Sequence, residues 1–191
     1  MKERPILFSA PMIRAILAGL KTQTRRVVKP QPEPGTDCPY HVGIGADRKA
    51  RVCPYGAPGD RLWVRETGWE RPVRTPQMMR NGADTWPRYV YDADGFSEQE
   101  HADLKEWGFV RRPSIHMPRW ASRITLEVVG VRVERLLDIS RGDAMDEGCP
   151  FPNMAAGDDP RQWYADLWQQ INGPGSWALN PWVWVVEFRR A

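Results

Sequence analysis

The chain has 191 residues, 41% hydrophobic and 27% charged, with a formal net charge of +3. That balance is too apolar for wholesale disorder and fits one globular domain carrying insertions; no run approaches the roughly 18 consecutive apolar residues of a membrane span. Ten Trp against five Phe and five Tyr, with 18 Pro and 16 Gly, argue against long helical bundles and coiled coils and for many turns and short elements.

Pro5 to Phe8 is a short apolar run that predicts a first strand. Ile6-Leu7-Phe8 is too short for the apolar core of a signal peptide, being interrupted by Pro11 and Arg14, so the expected location is the cytoplasm. Ser9 can cap a helix with Pro11 in its first turn, and Met12, Ile13, Ile16, Leu17 and Leu20 recur at helical spacing. Gly19 marks the end of that helix. The chain then enters Lys21-Thr22-Gln23-Thr24-Arg25-Arg26, which has no long apolar period and is rich in hydroxyls and cations.

Pro30 to Gly59 is a Pro/Gly-rich loop, after which Arg61 to Thr67 reads as a strand with Leu62 and Val64 on one face and Trp63 and Arg65 on the other. Gly68 to His116 has no sustained pattern beyond a short polar helix over Ser97–Trp107, so insertions are expected at about 30–57 and 70–115. Arg119 to Leu137 carries the clearest strand signal. Ile124, Leu126 and Val128 alternate with Arg123, Thr125 and Glu127, and the phase shifts at Gly130, as at a bulge. Ser140 caps a short helix, Arg141 to Glu147, closed by Gly148, with Asp143 completing an imperfect capping box. Pro160 opens a helix whose apolar face is Trp163, Leu167 and Ile171, widened by Tyr164 and Trp168, and Asn172-Gly173-Pro174-Gly175 stops it. Pro181 to Phe188 is apolar on both faces, as expected of a central strand. The sum is an α+β domain with no regular alternation of strand and helix.

Four constellations can carry chemistry. Lys21, Thr22, Thr24, Arg25 and Arg26 follow a helix end. A lysine whose pKa is lowered by burial or neighbouring cations can take a hydroxyl's proton, and arginines fork onto phosphates or carboxylates. The plain alternative is a basic surface turn favoured by the helix C-terminus. Asp143, Asp146 and Glu147 offer a general acid or base, or simply acids placed on a short helix. Cys38, His41 and Cys53, with Cys149 or His101, can be set out as zinc ligands, but the spacing matches no standard finger, and the expectation is no metal and no cofactor. The odd count of three Cys argues against a disulfide framework. Trp63, Trp69 and Trp120 lie beside arginines and can either pack or stack on a base. No P-loop, dinucleotide, zincin or nucleophile-elbow fingerprint is present.

Ile16-Leu17-Ala18-Gly19-Leu20-Lys21-Thr22-Gln23-Thr24-Arg25-Arg26 resembles the signature of the ASCH domain, a branch of the PUA-like superfamily, with two arginines where the family usually has one. Pro58-Gly59-Asp60-Arg61-Leu62-Trp63-Val64-Arg65-Glu66 is similar to the family's Gly-Asp turn and strand, and the long form resembles ASCH proteins encoded by phages and prophages. The resemblance implies a PUA-like small β-barrel with short flanking helices and loop insertions, and recognition of RNA or a modified nucleoside. One compact branch of the family hydrolyses the acetyl amide of 4-acetylcytidine with a threonine nucleophile, a lysine base and a glutamate acid. Carried over by residue, these are Thr24, Lys21 and Glu147, with Thr22, Arg25, Arg26, Trp63, Arg65 and Glu66 expected to bind substrate. The expected function is therefore an amidohydrolase acting on an acylated nucleobase. The alternatives are a non-catalytic module for RNA or single-stranded DNA and, behind it, a nuclease.

Overall fold

A computed structural model describes residues 1–32, 53–71, 76–80, 82, 86–150 and 159–191. In chain order its elements are β1 (Glu3–Leu7), α1 (Ala10–Leu17), β2 (Gln23–Val27), β3 (Arg61–Arg65), β4 (Gly68–Glu70), α2 (Pro76–Arg80), β5 (Tyr89–Tyr91), α3 (Glu98–Glu106), β6 (Val110–Arg112), β7 (Thr125–Arg135), α4 (Arg141–Asp146), α5 (Pro160–Asn172) and β8 (Trp182–Arg190). The class is α+β, as expected. The strands form a five-stranded sheet, order β1-β3-β7-β8-β2, and a three-stranded sheet, order β5-β4-β6. The expected barrel is corrected here: among the described residues both sheets are open.

The chain packs as two units, one of Met1–Arg4, Ala15–Leu62 and Leu126–Ala191, the other of Pro5–Arg14 and Trp63–Thr125. In the first unit β8 lies between β7 and β2, antiparallel to both. Its apolar residues face both ways, and Val183, Trp184, Val185 and Val186 are all buried. The register of β7 on β8 shifts between Val128 and Gly130, which places the bulge at the glycine where the alternation changes phase. Val183 and Val185 carry the core formed with Leu136, Ile139, Ala144, Tyr164 and Trp168. The buried face of α5 therefore centres on Tyr164 and Trp168, one position round from the face predicted. Trp163 and Leu167 are only half-buried, and Ile171 is 54% exposed near the helix end.

β2 is the element the sequence did not predict as a strand. Its residues are polar but buried, Gln23, Thr24 and Arg25 at 2%, 2% and 4% exposure, because carboxylates from other elements meet the cations. Pairing with β8 supplied a strand that local pattern did not.

Along β3, Leu62 and Val64 are fully buried while Trp63 and Arg65 are half-buried, the alternation expected of it. The region expected as an insertion contains its own small sheet, with Trp69, Val90, Leu104 and Phe109 as core. Each of its strands is three residues long, too short to show a period. α3 begins with a complete capping box between Ser97 and Glu100.

Candidate active site

The first unit brings Lys21 and Glu147 together. The chain leaves α1 through Gly19 at φ +74°, and the N–H groups of Leu20 and Lys21 both donate to the Ala15 carbonyl, at 2.9 and 3.2 Å. Lys21 then bridges Glu147 before β2 begins. On the other side, Ser140 and Asp143 cap α4 reciprocally, with Asp143 N–H donating to Ser140 Oγ at 3.0 Å and Ser140 Oγ donating to Asp143 Oδ2 at 2.6 Å. The helix is six residues long, and Glu147 follows it as its C-cap, with its backbone N–H donating to the Asp143 carbonyl.

Lys21 Nζ donates to Glu147 Oε2 at 2.7 Å and to the Glu147 backbone carbonyl at 2.9 Å. The Lys21 side chain is wholly buried and that of Glu147 is 2% exposed. Arg25 NH1 donates to Glu147 Oε1 at 3.2 Å, and its other nitrogens reach Glu134 Oε1 at 3.0 and 2.6 Å. The Tyr164 hydroxyl is hydrogen-bonded to Glu147, and the Arg25 guanidinium lies 5.9 Å from the Tyr164 ring centre. Asp143 Oδ1 accepts from Gln23 Nε2 at 3.1 Å and Arg132 NH2 at 2.6 Å, and Arg132 also pairs with Glu134 and Glu187. A chain of alternating charge thus runs from Lys21 through Glu147, Arg25 and Glu134 to Arg132, buried as far as Arg25 and partly exposed beyond it.

Burial lowers the Lys21 pKa, since an ammonium taken from water loses its hydration. Glu147 opposes the shift, and Arg26 and Arg25 add to it. Burial also disfavours the Arg25 charge, but Glu147 and Glu134 outweigh it and its proton is held more tightly. The Tyr164 hydroxyl is pushed up by burial and by the Glu147 charge. For Asp143, burial is outweighed by hydrogen bonds from Ser140 and Gln23 and by Arg25, which hold the carboxyl well below its ordinary range. Its contribution to stability is therefore present above about pH 4 and lost as pH falls through the depressed folded value. An Asp143→Asn variant is expected to be less stable than wild type at neutral pH, with the two converging in acid, as measured by urea denaturation from pH 7 to pH 2. Parallel curves would show that Asp143 does not supply the acid-sensitive stability.

Gly148 closes α4 at φ +97°, where a Cβ would sit 3.0 Å from Ala15 Cβ and 3.2 Å from Lys21 Cβ. Left-handed backbone and crowding coincide, so Gly148→Ala is expected to cost about 1–3 kcal/mol in a denaturant titration. A loss below about 0.5 kcal/mol would mean that the backbone relaxes without disturbing Lys21.

Thr24 is buried on β2, opposite Val186. Alternation along a strand turns its side chain to the face opposite Gln23 and Arg25, so the carboxylate network and the Thr24 hydroxyl lie on different faces of β2. Thr22 is exposed and lines a cavity of about 290 Å³ with Gln23, Asp143, Asp146, Glu187 and Phe188. Arg25, expected to hold substrate, directs its donors to Glu134, Glu147 and Asp143 instead. Arg26 is half-buried and lies in register with Trp184.

Trp63, Arg65 and Glu66 belong to the second unit. Glu66 is 1% exposed and is held by Arg123 through two 3.0 Å bonds. Burial raises its pKa and Arg123 opposes the rise. Cys53 and Cys149 are buried, and Cys38 and His41 lie outside the described residues. No group of three or more metal-ligating side chains is assembled among the described residues. No described helix is long and apolar enough to cross a membrane.

Glu134, Arg132 and Tyr164 were not singled out by sequence. The signal for the first two was present, since the phase after Gly130 puts both on the face opposite Val131 and Val133. Tyr164 carried no local sign of its role.

No family model matches the sequence, and no curated protein matches it. Among solved structures, the chain is similar to the ASCH domain from Lactobacillus crispatus JV V101, with 11% identity over 99% of this chain and 79% of that one, at a TM-score of 0.44. It is also similar to protein EF3133 from Enterococcus faecalis V583, of family DUF984, with 8% identity over 100% of this chain and 80% of that one, at a TM-score of 0.42.

Proposed function

We propose that the protein is an amidohydrolase acting on an acylated nucleobase of the 4-acetylcytidine kind, with Lys21 and Glu147 as its acid–base pair and Thr24 as nucleophile. One observation carries this: a wholly buried lysine with a lowered pKa, 2.7 Å from a buried carboxylate. An ammonium so placed gives up its proton to solvent more readily than one in water, and the carboxylate beside it stays able to receive the next proton that Lys21 takes up. The scheme requires the Thr24 hydroxyl, which alternation places on the face of β2 opposite Gln23 and Arg25, to come within reach of neutral Lys21, which takes its proton as the oxygen attacks the acyl carbon. The proton passes to Glu147 and then to the departing exocyclic amine as the C–N bond breaks. Water, deprotonated by the same pair, attacks the acyl-threonine, releasing acetate and restoring the hydroxyl. Arg25 and Tyr164 position Glu147 in this scheme, and no metal takes part.

The test is incubation of purified protein with 4-acetylcytidine and related acyl-nucleosides, with chromatography for the deacylated product. Catalytic formation of cytidine, lost in Thr24→Val, supports the proposal; tight binding with no turnover of any acyl-nucleoside ends it. A second reading is favoured by the alternation that turns Thr24 away from Arg25. Here the same residues bind a nucleoside or nucleic acid without chemistry, and Thr24→Val leaves affinity unchanged.

A further inference from the structure

The second unit holds a cavity that the Lys21 chemistry does not use. Its volume is about 540 Å³, within the range of small-molecule sites. Four aromatic side chains, Trp86, Tyr89, Tyr91 and Phe96, line it together with Asp94, the one charged side chain that does so among the described residues. Trp86 meets Phe96 at 6.1 Å between ring centres and 37° between planes, and Tyr89 meets Tyr91 at 5.1 Å and 53°.

The shape and the charge of this cavity select the same kind of ligand. A flat ring is best held between parallel faces, whereas the rings of each pair here are tilted against one another, which suits a compact, rounded group. Tyr89 donates its hydroxyl to the Glu66 carbonyl at 3.2 Å, and Tyr91 donates to the Ala121 carbonyl at 2.7 Å. Both phenol groups are committed to backbone, so the tyrosines contribute ring surface. The charge on the rim is negative. Arg123 pairs with Glu66 at 3.0 Å and with Asp94 at 2.6 Å, so one guanidinium serves two carboxylates and one negative charge is left in surplus. Asp94, its side chain 41% exposed, brings that charge to the cavity. Asp92 and Arg111 balance one another at 3.3 Å, and Arg88, next to Tyr89 in sequence, lies over Trp120 instead. Burial pushes the Tyr89 phenol up, and Tyr91, Glu66, Asp92 and Glu70 push it further, so its ring stays neutral beside negative charge. The Arg123 guanidinium, 3.8 Å from the Tyr91 ring centre, already makes within the fold the contact that a bound cation would make.

We infer that this cavity binds a small quaternary ammonium compound, its methylated nitrogen against Trp86, Tyr89, Tyr91 and Phe96 and its charge met by Asp94. A methylated ammonium has no N–H to satisfy, and the negative faces of aromatic rings attract it. A primary ammonium would turn its N–H donors onto ring carbon, and an anion would meet Asp94. The inference is independent of the Lys21 and Glu147 proposal, since every residue in it belongs to the second unit.

The experiment is isothermal calorimetry of the full chain with choline and with its uncharged analogue, dimethylbutanol, in which carbon replaces the nitrogen. Choline is expected to bind with a Kd of about 1 mM or tighter, and the analogue at least about tenfold more weakly. Asp94→Asn is expected to weaken choline roughly fivefold and to leave the analogue unchanged. Trp86→Ala is expected to weaken choline roughly 2- to 30-fold, and Trp86→Phe, which keeps a ring face, less. Trp86 also packs on Trp107 at 5.5 Å, so thermal unfolding of its variants is followed alongside. The half-exposed Asp94 keeps the test decisive where Trp86→Ala unfolds. No binding of choline, equal affinity for the uncharged analogue, tighter binding of cytidine than of choline, or wild-type choline affinity in Asp94→Asn would each overturn the inference.

Discussion

Replacing Glu147 by glutamine is expected to cost about 3–5 kcal/mol of stability, the range for breaking a buried ion pair by removing one partner. Gln keeps the shape of Glu147 but leaves the Lys21 ammonium, wholly buried, facing a neutral amide where a carboxylate stood at 2.7 Å. Arg25 is less affected, because Glu134 and Asp143 remain beside it. Lys21→Met should cost less, since Glu147 keeps Arg25 and the Tyr164 hydroxyl. The double variant Lys21→Met, Glu147→Gln should be more stable than the sum of the singles predicts, with a coupling of about 1–3 kcal/mol. Urea denaturation of the four proteins measures this directly. Additive losses, each below about 1 kcal/mol, would show that the pair is solvated in solution and not the buried unit described here.

The second large effect concerns turnover. If Lys21 is the base, it works as the neutral amine, so the rate should climb with pH towards a plateau. Burial lowers its pKa, with Glu147 opposing, so the climb should be centred below the ordinary lysine value of 10.5. Lys21→Ala should lower kcat by about 10²–10⁴, the usual contribution of a positioned general base, and should abolish that limb of the profile. Thr24→Val should lower it at least as far, and the double variant scarcely further, because a nucleophile and its base fail as a unit. Arg25→Lys tests positioning separately: it keeps the charge but loses the fork that reaches Glu147 and Glu134 at once. It should move the pH profile more than KM. Rates of acyl-nucleoside hydrolysis from pH 6 to pH 10.5 supply all of these. A Lys21→Ala enzyme with an unchanged pH profile would remove lysine from the base role.

How much of this was written locally in the chain differs from element to element. The α4 cap was legible because Ser140 and Asp143 lie three residues apart and their hydrogen bonds close within one turn. The bulge in β7 was legible because a glycine stood where the apolar alternation changed phase. The central place of β8 followed from apolar residues on both of its faces. For the candidate site, the sequence by itself determined that Lys21 follows a glycine-terminated helix and that Glu147 ends a capped one. It could not determine that 126 residues of separation close to 2.7 Å, which depends on β2 pairing with β8 and α4 packing over Val183 and Val185.

Only the tertiary structure decided that Gln23–Val27 is a strand, because its polar residues hide their pattern until Glu134, Asp143 and Glu147 neutralise them. It also decided the use of the arginines. A guanidinium in sequence has no stated partner, and Arg25 becomes internal because three carboxylates from other segments surround it. Arg88 and Arg119 lie over tryptophans instead, and Arg88 remains mostly exposed. The physical reason is common to both cases. Capping, bulging and strand alternation are set by neighbours within a few residues. The cost of burying a charge is set by whichever distant groups the fold brings to it, and that sum exists only once the sheet is assembled.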